Sequence, residues 1–364
     1  MNFTAIARIN LSALTHNLSI IHELMPKQKM LAMVKSNAYG HGLVPIVRAM
    51  KTADAFGVAS IAEALQAREA VIDRDFVVMR GFSTEDELSI FFNNPHLIAC
   101  IHAPEQVLML ERQKITDHRV LRIWLKVDTG MNRLGVPCEL FQSVYQRLSA
   151  LPFIDKQFVV CSHLADADNQ DTAFTEKQIA GFNQVTANIV NEKSLLNSAG
   201  IVAHANAHYD WIRPGLMMYG ISPFAQHGPH DVIMQRFRPV MTLESKIIAV
   251  KKVNAGEKIG YSCTFTAKNP MKIAIVGMGY GDSYPRNVKN GTPVLIRNTR
   301  CSIVGRVSMD MITVDVTHLD HVKIDDTVIL WDDRLLVSEI AQCVNTVPHE
   351  LVCHLTGRVR MVYE

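Results

Sequence analysis

The chain has 364 residues, of which 48% are hydrophobic and 20% are charged, and its formal net charge is +2. This length favours two domains, or one barrel with an appendage, and the composition is typical of a globular protein with a large core. The small net charge and the lack of long basic runs argue against a nucleic acid partner. No apolar run reaches the length of a transmembrane helix, which argues against membrane insertion.

The cysteines and the first residues indicate the cellular compartment of the protein. Seven cysteines form no CxxC pair and are scattered among apolar neighbours, a pattern typical of reduced, buried thiols. The opening residues MNFTAIARINLSALTHNL lack a basic segment followed by a continuous apolar one, so they do not resemble a signal peptide. We therefore expect a cytoplasmic protein.

Short apolar strands alternate with amphipathic helices from residue 31 to about residue 220. This alternation predicts an α/β fold with a parallel (β/α)8 barrel of the TIM type. Capping boxes are predicted at Ser60 with Glu63, Thr84 with Glu87 and Thr175 with Gln178, and a helix is predicted over 176–191. The predicted strands are Leu31–Val34, Phe56–Ala59, Phe76–Met79, Leu97–Ile101, Leu121–Val127, Phe158–Ser162, Leu195–Leu196 and Tyr209–Ile212.

A second, mostly β domain is predicted after residue 229. Segments rich in β-branched residues are separated there by Gly, Asn and Asp turns. We expect residues 11–229 to form the barrel, residues 230–364 to form the β domain, and residues 1–10 to contain a strand that packs with the β domain. The predicted strands of this domain are Thr242–Val250, Lys272–Val276, Thr292–Ile296, Met311–Val316 and Thr327–Trp331.

Polar residues follow several of the predicted barrel strands, where parallel barrels place their chemistry. Lys35 ends the first strand, and a buried lysine at such a position can lose its proton and attack a carbonyl. Considered alone, Lys35 is better explained as an ordinary surface lysine at the start of a loop. The Ser198 hydroxyl, with the backbone N–H groups of Gly215 and Leu216, would form a phosphate cradle. The remaining strand ends carry KVDTGMNRLG at 126–135, His163, Asn197 and Arg213.

These stretches resemble alanine racemase, a pyridoxal phosphate (PLP) enzyme with a barrel and a C-terminal β domain. The resemblance spans nearly the whole chain in family order. The matching stretches are AMVKSNAYGHG (32–42), KVDTGMNRLG (126–135), CSHLADAD (161–168), NSAG (197–200), IRPGLMMYGISP (212–223), GEKIGYSCTF (256–265), GYGDSYPR (279–286), VGRVSMDMITVD (304–315) and a closing HELVC…RV (349–359).

The resemblance implies a racemase with two catalytic bases, one for each face of the substrate. Lys35 corresponds to the lysine that forms a Schiff base with PLP and acts as one base, and Tyr261 corresponds to the other. In the family this tyrosine comes from the second subunit, so the resemblance implies a homodimer with shared active sites. Arg213 resembles the arginine that faces the pyridine nitrogen of PLP, which keeps that nitrogen largely unprotonated.

The remaining site residues are also implied by the resemblance. Those expected to hold PLP are Tyr39, His163, Asn197, Ser198, Gly215, Leu216 and His349. Arg133 resembles the residue that binds the substrate carboxylate, and Met309, Asp310 and Tyr280 are expected around the substrate. Lys126 matches a lysine that many members carry as a carbamate.

Two positions depart from the family pattern: Ser262 follows Tyr261 where the family commonly has glycine, which leaves the base itself in place, and His349 bears on PLP. Many members have tyrosine where this chain has His349, in a closing Y-E-x-x-C, and that tyrosine usually helps to hold the phosphate of PLP. The histidine either replaces this hydrogen bond or leaves it to water. PLP affinity is therefore the property that the departure affects.

Other patterns in the chain do not support metal or dinucleotide sites. Asp166, Asp168 and Asp171 resemble the start of a calcium loop, but its glycine and its closing glutamate are missing. His204 and His208 have zinc spacing without the glutamate of a metalloprotease helix, and residues 277–281 do not form GxGxxG. We expect no metal.

The leading functional prediction is PLP-dependent interconversion of L- and D-alanine, for peptidoglycan synthesis or for D-alanine breakdown. Three alternatives are a racemase of broader specificity, a PLP-binding protein without catalysis, and a fold-related decarboxylase. Proteins of the second kind lack the β domain. The decarboxylases carry a cysteine motif where this chain has VSMD at 307–310.

Overall fold

The computed structural model describes residues 5–115, 118–224 and 228–364 and shows a barrel followed by a β domain. Residues 1–4 of the segment predicted at 1–10, and residues 116–117 and 225–227 of the predicted barrel domain, lie outside the described residues. Within the described ranges, no helix combines the length and the apolar character needed to cross a membrane.

The barrel domain confirms the predicted fold class. The chain opens with β1 (Ile6–Ile9), and eight further strands then pair in parallel and close on themselves, because β5 pairs with both β4 and β6 and β10 pairs with β2. The barrel strands are β2 (Lys29–Met33), β3 (Ala55–Val58), β4 (Phe76–Val78), β5 (Leu97–Ile101), β6 (Ile123–Asp128), β8 (Val159–Cys161), β9 (Lys193–Ser194) and β10 (Trp211–Ile212), with β7 (Val136–Pro137) beside β6.

Helices cover the outside of this barrel, as its alternating sequence predicts. At two predicted capping boxes the N-cap bond is present, since the Ser60 and Thr84 side chains accept from the N–H groups of Glu63 and Glu87 at 3.3 and 3.2 Å. The reciprocal bond differs from the prediction, because the Glu63 and Glu87 carboxylates accept from the N–H groups of Ala59 and Ser83, both at 2.7 Å. The helices are α1 (Leu11–Leu24), α2 (Lys35–Tyr39), α3 (Leu43–Ala49), α4 (Ile61–Arg68), α5 (Glu85–Phe92), α6 (Pro104–Glu111), α7 (Cys138–Ala150), α8 (Ala173–Val185), α9 (Ser198–Ala203) and α10 (Asp231–Met234).

The prediction for α8 is wrong at both ends. The helix begins at Ala173, so Thr175 lies inside it, and it ends at Val185. Gln178 does not complete a capping box; it accepts from the Ala165 N–H at 2.8 Å and donates to the His163 carbonyl at 3.1 Å. Ile179, Phe182 and Ile189 are buried, as a packing face requires, whereas Val190, beyond the end of the helix, is 97% exposed.

The seventh strand is also misplaced by the prediction, because it covers Lys193–Ser194 and not Leu195–Leu196. Both leucines are buried, which explains why they resemble strand residues. The Leu195 carbonyl accepts from the Arg213 side chain at 3.0 Å, and the Leu196 carbonyl accepts from the Arg213 backbone N–H at 2.9 Å.

The second domain is a closed, mostly antiparallel sheet that includes the N-terminal strand, with β1 and β19 as its one parallel pair among the described strands. Six of its strands form a ring, because β14 pairs with both β11 and β17, and β1 joins β11 to β19 at the side. A small hairpin, β12 with β13, forms a separate sheet. The elements are β11 (Met241–Val253), β12 (Lys258–Ile259), β13 (Phe265–Thr266), β14 (Met271–Val276), β15 (Pro293–Ile296), β16 (Thr299–Ile303), β17 (Ile312–Asp315), β18 (Thr327–Trp331), α11 (Val337–Val344), α12 (Pro348–Cys353) and β19 (Arg360–Tyr363).

Candidate active site

The turn after β2 carries Lys35 and has an unusual backbone. Ser36, Asn37, Ala38 and Tyr39 all have φ between 52° and 54°, so α2 is mostly a left-handed turn. This conformation is unfavourable by roughly 1–2 kcal/mol for each residue that is not glycine. Four such residues in a row therefore need support from the surrounding structure.

Glu63 provides part of this support. Its carboxylate accepts from the Ser36 N–H and from the Ala59 N–H, both at 2.7 Å. The residue predicted only as half of a capping box thus also holds the turn that carries Lys35. Nothing in the sequence indicates this second role, because it depends on the position of α4 beside the end of β2.

Helix α12 supports the same turn from the β domain. Gly40 has a φ of 79°, and a Cβ atom there would lie 1.8 Å from the Val352 carbonyl oxygen. The two backbones therefore approach more closely than any side chain would allow. This contact ties the end of the chain to the lysine turn.

We expect Gly40→Ala to destabilise the protein by at least about 2 kcal/mol, because alanine is strained at this φ and would also collide with α12. The denaturant midpoint measures the effect. Gly256→Ala is the matched control, since Gly256 has a similar φ of 87° but nothing within 4 Å. If the two variants lose the same stability, α12 does not restrain the turn.

Lys35 lies half-buried in a group of cationic side chains. Burial, followed by the Arg133 charge, lowers the pKa of Lys35. Lys126 is only 6% exposed, and burial is likewise the main cause that lowers its pKa. Both amines therefore favour the neutral form more than a lysine in water does.

Arg213 lies in the barrel interior with neutral partners. It is 3% exposed, and its guanidinium donates to the Ser194 hydroxyl at 2.6 Å and to the carbonyls of Ser162 and Leu195 at 2.5 and 3.0 Å. It also donates to His163 Nδ1 at 3.2 Å, so His163 carries its own proton on Nε2. Burial, followed by the charge of Arg213, lowers the pKa of His163 and keeps the ring neutral.

Tyr39, Ser198 and Gly215 converge from three strand ends. The Ser198 hydroxyl accepts from the N–H groups of Gly215 at 2.9 Å and Met217 at 3.4 Å, which leaves its own proton available. A Cβ atom on Gly215 would lie 2.7 Å from the Tyr39 hydroxyl, so this glycine keeps the space open. Asn197 acts locally here, since its side chain accepts from the Gly200 N–H at 3.0 Å and fixes the start of α9.

His349 projects from α12 on the β-domain side. Its Nδ1 is buried without a hydrogen-bond partner in the described ranges 5–115, 118–224 and 228–364. Burial, followed by the charge of Lys35, lowers the pKa of His349. An unpaired polar atom near the cationic group is a candidate ligand contact.

Tyr261 stands apart from these residues. It follows β12 at the tip of the hairpin, and its side chain is 66% exposed. The adjacent Ser262 accepts from Arg306 at 3.3 Å. Tyr280 and Met309 lie at the same end of the β domain, where the Gly281 N–H donates to the Met309 carbonyl at 2.8 Å, and Asp310 pairs with Arg358 at 2.6 Å.

The predicted site residues thus form two groups in one chain. The first lies at the mouth of the barrel and combines a buried amine, a neutral histidine, a hydroxyl cradle and several cations, an arrangement that fits an anionic, phosphorylated cofactor. The second is an exposed cluster on the β domain. The sequence interpretation missed Glu63, Gly40 and Tyr219, although Tyr219 lies within a matched stretch and donates to the Met33 carbonyl at 3.1 Å.

Comparison with known proteins gives one consistent result. Residues 9–223 match the model for the N-terminal domain of alanine racemase, and residues 240–363 match the model for its C-terminal domain. The alanine racemase of Coxiella burnetii (strain RSA 331 / Henzerling II) is 48% identical over 360 residues, which cover 98% of each chain.

Solved structures agree with this result. The biosynthetic alanine racemase of Pseudomonas aeruginosa superposes with a TM-score of 0.94 at 34% identity over 100% of both chains. A structure of alanine racemase from Bartonella henselae with covalently bound pyridoxal phosphate has a TM-score of 0.89 at 27% identity and covers 99% of each chain.

Proposed function

The chain belongs to the alanine racemase family and is an isomerase that racemises alanine; from that premise we propose that it uses PLP and two bases, Lys35 of one subunit and Tyr261 of a second copy. The observation that carries the proposal is the half-buried Lys35, whose lowered pKa favours a free amine beside a phosphate cradle. The D-alanine formed would serve peptidoglycan synthesis, or the reverse reaction would serve D-alanine breakdown.

The barrel residues fit PLP at both of its ends. Tyr39 and Ser198 would hold the phosphate over the space that Gly215 leaves open, with the Leu216 N–H beside them. Arg213 would face the pyridine nitrogen, and since a guanidinium is a donor that keeps its proton, it would not protonate that nitrogen. When bound, PLP supplies an electron sink for the α-carbon of the substrate.

The protein residues supply the proton movements. Racemisation removes the α-proton from one face of the substrate and returns a proton to the other, so a base is needed on each face. Lys35 Nζ would hold or release a proton on one face, and Tyr261 Oη would do so on the other. Arg133 would fix the substrate carboxylate by a charge-assisted hydrogen bond.

The exposed group on the β domain supports a shared site. Tyr261, Tyr280 and Met309 are 66%, 38% and 52% exposed in the single chain. Large apolar side chains grouped at one surface are typical of an interface. We infer that a second copy covers them, which would bring Tyr261, Met309 and Asp310 to the barrel mouth of its partner in a homodimer.

Lys126 is the proposed support of Arg133. A carbamate forms from a neutral amine, and burial lowers the pKa of Lys126 in that direction. The carbamate would place a negative charge among Lys35, Arg133 and Arg213. Its formation at Lys126 would therefore reduce the repulsion between these cations.

His349 is proposed to contact the phosphate weakly. We expect His349→Tyr to lower the dissociation constant of PLP by about tenfold, because a phenol hydroxyl at this position would add one hydrogen bond to a charged group. Binding of PLP to the apoenzyme, followed by fluorescence, measures this. His349→Phe is the control for ring size, and an equal gain in affinity there would exclude the hydrogen bond as the cause.

A separate question is which amino acids the enzyme racemises, since a racemase of broader specificity would use the same residues. Interconversion of D and L forms should be assayed for alanine, serine and larger amino acids with added PLP. We expect alanine to give the highest kcat/KM, because Tyr261 and Tyr280 would narrow the site to a methyl-sized side chain. Comparable values for serine and larger substrates would favour the broader racemase.

A further inference from the structure

Glu63 connects two neighbouring strand ends of the barrel beside Lys35. It lies in the first turn of α4, which follows β3. Its carboxylate accepts from the Ala59 N–H of its own loop and from the Ser36 N–H of the turn after β2, both at 2.7 Å. Ser36 directly follows Lys35 in the chain. One side chain therefore joins the backbone next to Lys35 to the start of the helix after the next strand.

The Ser36 N–H depends on a partner outside its own turn. The Ala38 N–H bonds within the turn, to the Val34 carbonyl at 2.9 Å, whereas the Ser36 N–H donates to the Glu63 side chain. Ser36 also has a φ of 54°, which is unfavourable for serine. Loss of the carboxylate would remove a bond that holds this conformation, and with it the direction in which the Lys35 side chain leaves the backbone.

The same carboxylate places a negative charge near the Lys35 amine. Burial, followed by the Arg133 charge, lowers the pKa of Lys35, whereas the Glu63 charge acts in the opposite direction. The titratable groups that act on Lys35, or on which it acts, from the surrounding elements are Arg133, Lys126, Glu63, Cys353, His163 and His349.

Glu63 is the only carboxylate in this group among the described, unmodified residues. Burial raises the pKa of the Cys353 thiol and lowers the pKa of His163 and His349, so these three side chains favour their neutral forms. A racemase lysine accepts a proton in one direction of the reaction and returns it in the other, so it needs both of its protonation states. Glu63 favours the protonated state, which burial and the cations oppose.

We propose that Glu63 is a positioning residue for racemisation, which fixes Lys35 through the Ser36 N–H and supplies the negative charge that lets the amine hold the proton it receives. In this role Glu63 acts through its neighbours and need not contact the substrate. The part that Lys35 plays in the reaction rests on the proposed function. The bond to Ser36 and the charge beside the amine do not rest on it.

Helix α5 offers a matched control. Glu87 occupies the same position in α5 as Glu63 does in α4, since its carboxylate accepts from the Ser83 N–H at 2.7 Å and its own N–H donates to Thr84 at 3.2 Å. Within the described ranges, the hydrogen bonds of the Glu87 side chain stay in its own loop. Substitution of Glu87 therefore removes the same helix cap without changing the surroundings of Lys35.

Two variants separate the position of Lys35 from the charge beside it. Glu63→Gln keeps the length but loses the charge, and its single amide oxygen can hold only one of the two bonds well. Glu63→Asp keeps the charge but is too short to hold both. We expect each to lower kcat for alanine by about tenfold or more, and Glu87→Gln and Glu87→Asp to stay within about twofold of the wild type. Wild-type kcat in both Glu63 variants would overturn the positioning role.

Protonation of Lys35 in the apoenzyme is a readout that a purely structural role would not change. Reductive methylation with ¹³C-formaldehyde labels the amines, and the NMR signal that is missing in Lys35→Ala belongs to Lys35. Its chemical shift followed against pH gives the deprotonation midpoint without PLP. We expect a lower midpoint in Glu63→Gln, because the charge that favours the ammonium form is gone, and the wild-type midpoint in Glu63→Asp and Glu87→Gln. An unchanged midpoint in Glu63→Gln would overturn the role of the charge.

A measurement on the wild-type apoenzyme keeps the inference testable even if the Glu63 variants do not fold. The Ser36 amide should exchange with D₂O at least about tenfold more slowly than an unprotected amide. Exchange at the unprotected rate would show that Glu63 does not hold the turn. If the wild type does not bind PLP, the proposed function fails, while the Lys35 midpoint and the Ser36 exchange still decide this inference.

Discussion

Lys35→Ala is expected to abolish both the racemisation of alanine and the visible absorbance of PLP bound to the protein. The lysine is the one proposed residue that both attaches the cofactor and moves a proton, so its removal eliminates two functions at once. We expect kcat to fall by about 10⁴-fold or more. The absorbance spectrum of the variant with added PLP, and its rate of D-alanine formation, measure the two effects.

The control for this experiment lies at the start of β2, the strand that precedes Lys35. Lys29 begins β2, is half-exposed and pairs with Glu192 at 2.6 Å at the opposite end of the barrel. Lys29→Ala should keep the spectrum and the rate of the wild type. Turnover in Lys35→Ala at the wild-type rate would refute the mechanism, whereas loss of the spectrum alone would separate cofactor attachment from proton transfer.

The lowered pKa of Lys35 also sets the pH at which the apoenzyme captures PLP. The amine reacts only when it is deprotonated, and burial together with the Arg133 charge shifts deprotonation to lower pH. Capture should therefore persist to a lower pH than for an exposed lysine, and it should decline as the pH falls through the lowered pKa. Stopped-flow absorbance between pH 6 and pH 10 would follow this.

The sequence predicts where Lys35 lies in the barrel better than it predicts the contacts that hold the turn around it. The strand that ends before Lys35 is visible as an apolar run, and the position of Lys35 at a strand end follows from the parallel barrel. The left-handed turn at 36–39 is not predictable locally, because Ser, Ala and Tyr disfavour it and only Asn is often found in this conformation. Contacts with Glu63 and with Val352 impose it, and both are distant in sequence.

Contacts between residues that are distant in sequence also explain the wrong predictions for α8 and β9. Leu195 and Leu196 are buried and apolar, yet their carbonyl groups accept hydrogen bonds from Arg213. These bonds depend on the position of the next strand of the barrel. Gln178 fits a capping box by spacing, yet its amide fixes the loop that holds His163. In both places a polar side chain at or beside the candidate site, Arg213 or Gln178, makes hydrogen bonds to distant backbone groups. Local sequence patterns do not reveal such bonds.

Tyr261→Phe should leave PLP binding intact and lower kcat by about 10²–10⁴-fold, because it removes one proton-transferring group and little else. In D₂O, exchange of the α-proton separates the two faces. We expect exchange from L-alanine to fall far more than the absorbance of bound PLP. Ser262→Ala, at the neighbouring exposed position, is the control and should remain active. Equal loss of cofactor binding and exchange would indicate a structural role for Tyr261.

Mixing the two inactive variants tests whether the site is shared. If Tyr261 serves the partner subunit, a heterodimer of Lys35→Ala and Tyr261→Phe contains one intact site, with Lys35 from one chain and Tyr261 from the other, and one site that lacks both. Random exchange makes about half of the dimers heterodimers, so activity should recover to about one quarter of the wild type.

The alternative is that Tyr261 serves the Lys35 of its own chain. Every site in the mixture would then lack one base, and no activity would return at any ratio. The exposed phenol in the single chain favours recovery, because Tyr261 is 66% exposed and its hairpin bonds to Arg306 of its own domain. Recovery should also depend on subunit exchange, so it should appear only after the chains have been mixed under conditions that dissociate the dimer.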